Sequence, residues 1–302
     1  MHYELFALCA ALLWAIAGLM SVIPAAHLGA FAFSRWRMAC VTVMLGSMSL
    51  YTQGFTTLGW PQLAQMGLSG LVGIFIGDTA LYACLNRLGP RRAGLLFACH
   101  AVFSALLGVW LFQEQLAGMR LVGGLGVFAG VLVAILFARR QVTNQQSSPS
   151  LEPNIGPLWI GLLFGLLAAL CQSLGTLLAK PVMGSGVDPV AASCTRMAVA
   201  LLAHLLLRAT GAAFTKAKHP INPRILLIIA GNGFLAMALG MTLILLALQH
   251  GEMSMVAILS STTPVMILPL LWLYTGQRPS LAAWLGAGLV FSGTALVLTA
   301  AT

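Results

Sequence analysis

Apolar stretches of about twenty residues, each with few charged side chains, recur along almost the whole chain. A helix of that length spans the roughly 30 Å hydrocarbon core of a bilayer. Only 7% of the 302 residues are charged and 60% are hydrophobic, which excludes a soluble globular fold. We therefore predict an all-α polytopic membrane protein with ten transmembrane helices, near residues 4–23, 30–51, 62–86, 91–112, 118–138, 156–179, 187–208, 223–249, 253–275 and 280–299.

The charge and the cysteine content limit the partners and ligands that this chain is expected to bind. The net charge is +9, but the 15 Lys and Arg residues are scattered between apolar runs, so the expected partner is the lipid bilayer and not nucleic acid. The six cysteines include no CxxC pair, which gives no support to a disulfide framework or a zinc site. We expect no metal and no cofactor, because metal-ligand spacing and a nucleotide-binding glycine loop are both missing from the sequence. The first stretch has no preceding Lys or Arg and is interpreted as an uncleaved span.

Two copies of one five-helix module are predicted. A polar segment at 141–155 has the composition of a flexible linker and separates a first repeat at 1–140 from a second at 156–302. Laying residue i over residue i+163 aligns identical residues, among them Gly77 with Gly240, Gly123 with Gly286 and Phe128 with Phe291. Because each module has an odd number of spans, the copies must have opposite orientations, which predicts an inverted repeat, an arrangement typical of transporters.

Several motifs resemble those of the EamA-type branch of the drug/metabolite transporter superfamily. They are Gly77-Asp78-Thr79-Ala80-Leu81-Tyr82, Leu88-Gly89-Pro90-Arg91-Arg92-Ala93 and Trp110-Leu111-Phe112-Gln113-Glu114. The resemblance covers nearly the whole chain and implies a ten-helix basket with a central cavity, in a family that includes amino-acid exporters of the YddG type. The chain departs from the pattern where Ala101 replaces the proline retained at Pro264, and where Gln277 occupies the position that matches Glu114.

Asp78 is the one carboxylate well inside an apolar run, where an unpaired charge is costly. Tyr82 follows one helical turn later on the same face and Asn86 one turn after that. This stripe predicts that Asp78 and Tyr82 line a substrate cavity. A hydrogen bond from Asp78 that only joins neighbouring helices is the alternative.

Intramembrane polar residues of the fourth and ninth spans are further candidates. His100 lies inside the fourth span, and with Asp78 it is a candidate proton relay, although a neutral histidine packed between helices is an equal alternative. In the ninth span, Ser261 and Thr263 precede Pro264, which breaks the helix and frees carbonyl groups, as in many transporter substrate sites. Serine and threonine also serve simply as small packing residues.

Trp14 and Gln172 occupy matching places in the two repeats, and their aromatic and amide groups suit a ligand of amino-acid size. For Trp14 the competing interpretation is contact with lipid. Arg37 and Arg196 lie about two turns into their helices, where they either bind a carboxylate or extend to the interface.

These features together favour a secondary transporter of the bacterial-type inner membrane that exports small metabolites, amino acids foremost, by alternating access with proton coupling through Asp78 and His100. Efflux of cationic or aromatic drug-like compounds is the alternative, since Asp78 supplies an anion and Trp14 a stacking face. An intramembrane enzyme or a non-transport subunit is the alternative from another class. The sequence does not determine the oligomeric state.

Basic residues predict the orientation. Twelve of the 15 Lys and Arg residues fall on one side if both termini are outside, so the positive-inside rule favours that orientation. A fluorescent protein fused after Thr302 is then expected to stay dark, and a phosphatase fused there to be active. Cytoplasmic fluorescence from the first fusion would refute the orientation.

Overall fold

The computed structural model describes residues 3–136, 157–275 and 280–299, so the predicted linker at 141–155 lies outside the described residues. Ten helical spans confirm the predicted number. They are α1 (Tyr3–Leu28), α2 (Ala30–Tyr51), α3 (Trp60–Gly89), α4 (Arg92–Phe112), α5 (Gly118–Leu136), α6 (Leu158–Gly184), α7 (Pro189–Ala209), α8 (Pro223–His250), α9 (253–275) and α10 (Leu281–Thr299). No strand occurs in the described ranges.

Most of the helices are suited to a bilayer by themselves. Seven of the described helices are long and apolar enough to cross one, and shorter apolar segments lie in α5 and α10. The remaining helix, α2, carries Arg35 and Arg37, which lower its mean hydropathy. Two glycines in the left-handed region separate neighbouring spans, Gly29 (φ 84°) between α1 and α2 and Gly89 (φ 80°) between α3 and α4.

Irregular segments recur at the same places in both halves. A π-helical stretch at Leu71–Asp78 in α3 corresponds to one at Phe234–Met241 in α8, and both bounds differ by 163. The helical runs of α4 are interrupted at Cys99, and those of α9 at Ser261 and Thr262. The break in α4 forms although Ala101 stands where α9 has Pro264, so proline is not needed for it. The matching irregularities support the internal repeat.

The first helix of each half packs into the other half. Helix α1 contacts α8 and α9, and α6 contacts α3 and α4. Matching polar bonds fix these exchanged helices: Ser69 Oγ donates to the Gly175 carbonyl at 2.6 Å, and Asn232 Nδ2 donates to the Ala17 carbonyl at 2.6 Å. The halves are therefore interlocked at the centre and do not merely lie side by side.

Polar bonds also join the halves at both ends of the bundle. At the end where α1 begins, Glu114 accepts from the Ser254 amide at 2.9 Å, and Arg120 pairs with Glu252 at 3.0 Å. The Glu114 carboxylate thereby caps the first turn of α9, where the helix dipole favours negative charge. At the opposite end, Arg35 donates to the Thr215 carbonyl at 3.0 Å.

Helices α5 and α10 cross at glycines. A Cβ atom added at Gly293 would lie 2.7 Å from the Gly123 carbonyl oxygen and 2.7 Å from the Val127 amide nitrogen. The reciprocal Cβ at Gly123 would lie 2.7 Å from the Gly293 carbonyl oxygen. Such distances are sterically forbidden, so the two backbones approach closely only because both positions are glycine.

Gly293→Ala is expected to force α5 and α10 apart and to destabilise the protein by about 1–3 kcal/mol, the usual effect of overpacking. Gly288→Ala on the same helix is the matched control, because an added Cβ there has no atom within 4 Å. It is expected to be neutral or slightly stabilising through helix propensity. Thermal unfolding of the purified variants in detergent measures both, and equal melting of Gly293→Ala and wild type would contradict the packing.

Candidate functional site

A buried group of charged and aromatic side chains, here called the Arg37 cluster, lies between α2 and α3. It consists of Arg37, Asp78, Tyr82 and Phe33. The Arg37 Nη2 donates to the Asp78 carboxylate, and its Nη1 donates to the Tyr82 hydroxyl at 2.5 Å. The guanidinium carbon lies 4.7 Å from the centre of the Tyr82 ring and 5.4 Å from that of Phe33. Arg37 is thus held by an anion, a hydroxyl and two aromatic rings.

The structure distinguishes between the two interpretations of Arg37, which were binding of a carboxylate and extension to the membrane interface. Arg37 is 1% exposed, so it does not extend to the interface and instead binds the Asp78 carboxylate. The side chain of Asp78 is 11% exposed, so it is less completely enclosed than Arg37. A buried ion pair of this kind is stable only while both partners are present.

The second half has a different arrangement at the matching position. Arg196 of α7 is also 1% exposed, and its Nη1 contacts the sulfur of Met241 at 3.1 Å. Its Nη2 lies 3.1 Å from the position of a Cβ atom at Gly73 and 3.3 Å from one at Gly175. Two glycines, one on α3 and one on α6, therefore make room for this guanidinium where the helices cross.

Trp14 and Gln172, the predicted cavity residues of α1 and α6, have different surroundings. Trp14 Nε1 donates to the Ala236 carbonyl within the π-helical part of α8 at 2.8 Å, which places its indole at the contact between the halves. Gln172 is 7% exposed and is adjacent in sequence to Cys171, which packs against Gly77 of α3.

His100 belongs to a second polar group between α4 and α6. Its ring lies 5.1 Å from that of Phe97, and its carbonyl accepts from Ser173 Oγ at 2.9 Å. Ser104 Oγ donates to Ser173 Oγ at 3.0 Å. No hydrogen bond between His100 and Asp78 occurs among the residues that the structure describes, so their predicted relay stays a prediction.

The hydroxyls at the break in α9 bond within their own helix. Ser261 Oγ donates to the Ile258 carbonyl at 2.7 Å, and Thr263 Oγ1 donates to the Ser260 carbonyl at 2.8 Å. Ser261 is 3% exposed. These bonds satisfy carbonyl groups near the interruption, as the bilayer interior requires.

Sequence reasoning missed one buried polar contact and one pairing. His204 Nε2 lies 3.3 Å from Thr79 Oγ1, and the ring of Phe75 meets the imidazole edge-on at 4.8 Å. The sequence did show that Arg37 and Asp78 carry opposite charges inside adjacent spans. It did not indicate that the two side chains point at each other. Within residues 3–136, 157–275 and 280–299, no three His, Cys, Asp or Glu side chains are grouped to hold a metal ion.

Comparisons with known proteins agree with this architecture. The model of the EamA-like transporter family matches residues 1–136 and 159–299. The chain belongs to the EamA-like transporter family. It is therefore a multi-pass membrane protein of a family that transports small molecules, with two repeated halves.

A protein of known crystal structure shares the fold. The two chains are 18% identical and superimpose with a TM-score of 0.78, and the similarity covers 99% of this EamA-like chain and 96% of the other. No curated protein matches the chain.

Removing one partner of the buried ion pair is expected to destabilise this EamA-like protein more than removing both. Asp78→Leu leaves the Arg37 charge uncompensated, at a cost of about 3–5 kcal/mol. The double variant Arg37→Met/Asp78→Leu has no buried charge at this position and should recover most of the lost stability. Thermal unfolding in detergent is the measurement; a double variant that melts below Asp78→Leu would show that the pair is not the source of the effect.

Proposed function

We propose that this EamA-like protein exports small metabolites, amino acids foremost, across the bacterial inner membrane by alternating access. The observation that carries the proposal is the Arg37 cluster, a desolvated ion pair at the centre of the bundle beside the contact between the halves. Intramembrane charges are costly and commonly mark a transport pathway. The glycine crossing of α3 and α6 beside Arg196 brings a second charge to the same region.

The proposed binding residues differ in how strongly they are supported. Asp78 and Tyr82 have the strongest support because they share one charged partner and keep 9% and 7% of their surface exposed. Trp14 is supported by its bond across the contact between the halves, and Gln172 by its burial and its matching place in the repeat. His100, Ser261 and Thr263 are proposed as secondary contacts, because their known bonds are structural.

Alternating access requires the ends of the bundle to open in turn. The Arg120–Glu252 pair closes one end and the Arg35–Thr215 bond contributes to the other, and each joins the first half to the second. Rocking of one half against the other breaks one set of contacts while the other set persists. We propose that the end with Arg35 faces the cytoplasm, in agreement with the positive-inside rule.

Efflux of cationic compounds has less support than metabolite export. The carboxylate of Asp78 is already neutralised by Arg37, and Arg196 adds a further positive charge nearby. A cationic substrate would have to displace an arginine or approach two of them. An anionic or zwitterionic substrate meets no such opposition.

Counterflow of radiolabelled solutes in proteoliposomes tests the proposal, with the twenty L-amino acids as the first panel. Tyr82→Phe removes the hydroxyl that accepts from Arg37 and helps to orient it beside Asp78, and is expected to lower uptake by about tenfold. Tyr51→Phe is the matched control, because Tyr51 is 90% exposed at the end of α2. Uptake that is equal in both variants would contradict the site, and absence of uptake across amino acids and other small metabolites would contradict the function.

Proton coupling is tested by imposing a pH gradient on the same vesicles. Transport is expected to accelerate with the gradient, and Asp78→Asn, which cannot exchange a proton, is expected to abolish that acceleration. Transport that ignores the gradient and survives Asp78→Asn would exclude coupling through this residue and leave uniport or exchange.

A further inference from the structure

The two halves of the repeat surround their buried arginines with different residues. Arg37 and Arg196 occupy matching positions in α2 and α7, and each lies against the end of a π-helical stretch. The three partners of Arg37 are nevertheless apolar at the matching positions of the second half: Asp78 corresponds to Met241, Tyr82 to Leu245 and Phe33 to Ala192. The second half therefore has the arginine but not the side chains that would accept hydrogen bonds from it and neutralise its charge.

The unsatisfied atoms of Arg196 lie on one edge of the guanidinium. Its Nη1 has only the Met241 sulfur, a weak acceptor, at 3.1 Å. Its Nε and Nη2 are buried and have no hydrogen-bond partner within the described part of the chain. The N–H bonds of Nε and Nη2 point in the same direction, which is the geometry that binds both oxygens of one carboxylate.

Among the described residues, no further acidic side chain pairs with this second charge. The chain has six Asp and Glu residues, and Asp78 is already paired with Arg37. The others lie at helix ends or in loops, or, for the last, outside the described residues: Glu4, Glu114, Asp188, Glu252 and Glu152. Two central arginines and one central carboxylate leave a net charge of +1 in a region where an uncompensated ion is costly.

We propose that the Nε and Nη2 edge of Arg196 is a binding site for the carboxylate of the transported molecule, which replaces the acidic partner that the second half lacks. This inference rests on the proposed transport function and names its substrate class: small carboxylic acids, including zwitterionic amino acids. Gly73 and Gly175 border the same edge, since their added Cβ atoms would lie 3.1 and 3.3 Å from Nη2. Both donor atoms are closed off in this conformation, so α3 and α6 must separate at these glycines to load the site.

The first experiment introduces an acidic residue beside Arg196. Met241→Asp is expected to place a carboxylate against Nη1 of Arg196 and, by neutralising the guanidinium, to weaken its attraction for an external carboxylate, while Met241→Asn has the same shape without the charge. Thermal stabilisation of the purified protein by L-amino acids, titrated one at a time, reports the affinity. We expect the affinity to fall by at least about tenfold in Met241→Asp and only a few-fold in Met241→Asn. Equal loss in the two variants, or full retention in Met241→Asp, would overturn the site.

The second experiment needs no variant to fold. Each amino acid that stabilises the wild type is compared with its carboxamide, which keeps the side chain and amino group but loses the negative charge. The acids are expected to bind at least about tenfold more tightly. Amides that bind and are transported as well as the acids would overturn the carboxylate site and leave the carrier intact. Acids that bind through Arg196 but do not cross proteoliposomes would instead overturn the transport function.

Discussion

A guanidinium removed from water must find an acceptor, and this requirement organises the centre of the molecule. Arg37 finds the Asp78 carboxylate and the Tyr82 hydroxyl, and in doing so it ties α2 to α3. Every residue around the pair is constrained by it, because a missing partner would leave a charge stranded in a low-dielectric interior. Within the described part of the chain, Arg196 has only the Met241 sulfur as an acceptor, and this difference between the halves is the most informative property of the structure.

The fold was largely predictable because the bilayer enforces simple rules. Stretches of about twenty apolar residues must be helices, so the number of spans and the repeat followed from the sequence. Irregular segments within the helices could not be predicted in the same way. The π-helical stretches at Leu71–Asp78 and Phe234–Met241 have no hydropathy signature, and the break at Cys99 lacks the proline that marks its counterpart.

The candidate site was predictable only in part, for a physical reason. Asp78 and Tyr82 were identified because a polar residue inside an apolar run can be recognised from the sequence of a single helix. Which residues meet between helices depends on the rotation and crossing of each helix, and a sequence does not report these. Arg196 illustrates the limit: its position along its span was visible in the sequence, but only the three-dimensional structure shows that no described residue accepts from its Nε and Nη2 atoms.

The π-helical stretch before Thr79 has a consequence for how the protein tolerates change. A π-type turn accommodates a residue more than an α-helical turn, and one residue corresponds to about 100° of rotation about the axis. Loss of a single amino acid between Leu71 and Asp78 would let this stretch return to a regular α-helix, while Thr79 and the residues beyond it keep their orientation. The same loss in a regular α-helical part of α3 would rotate every residue beyond it by about 100° about the helix axis.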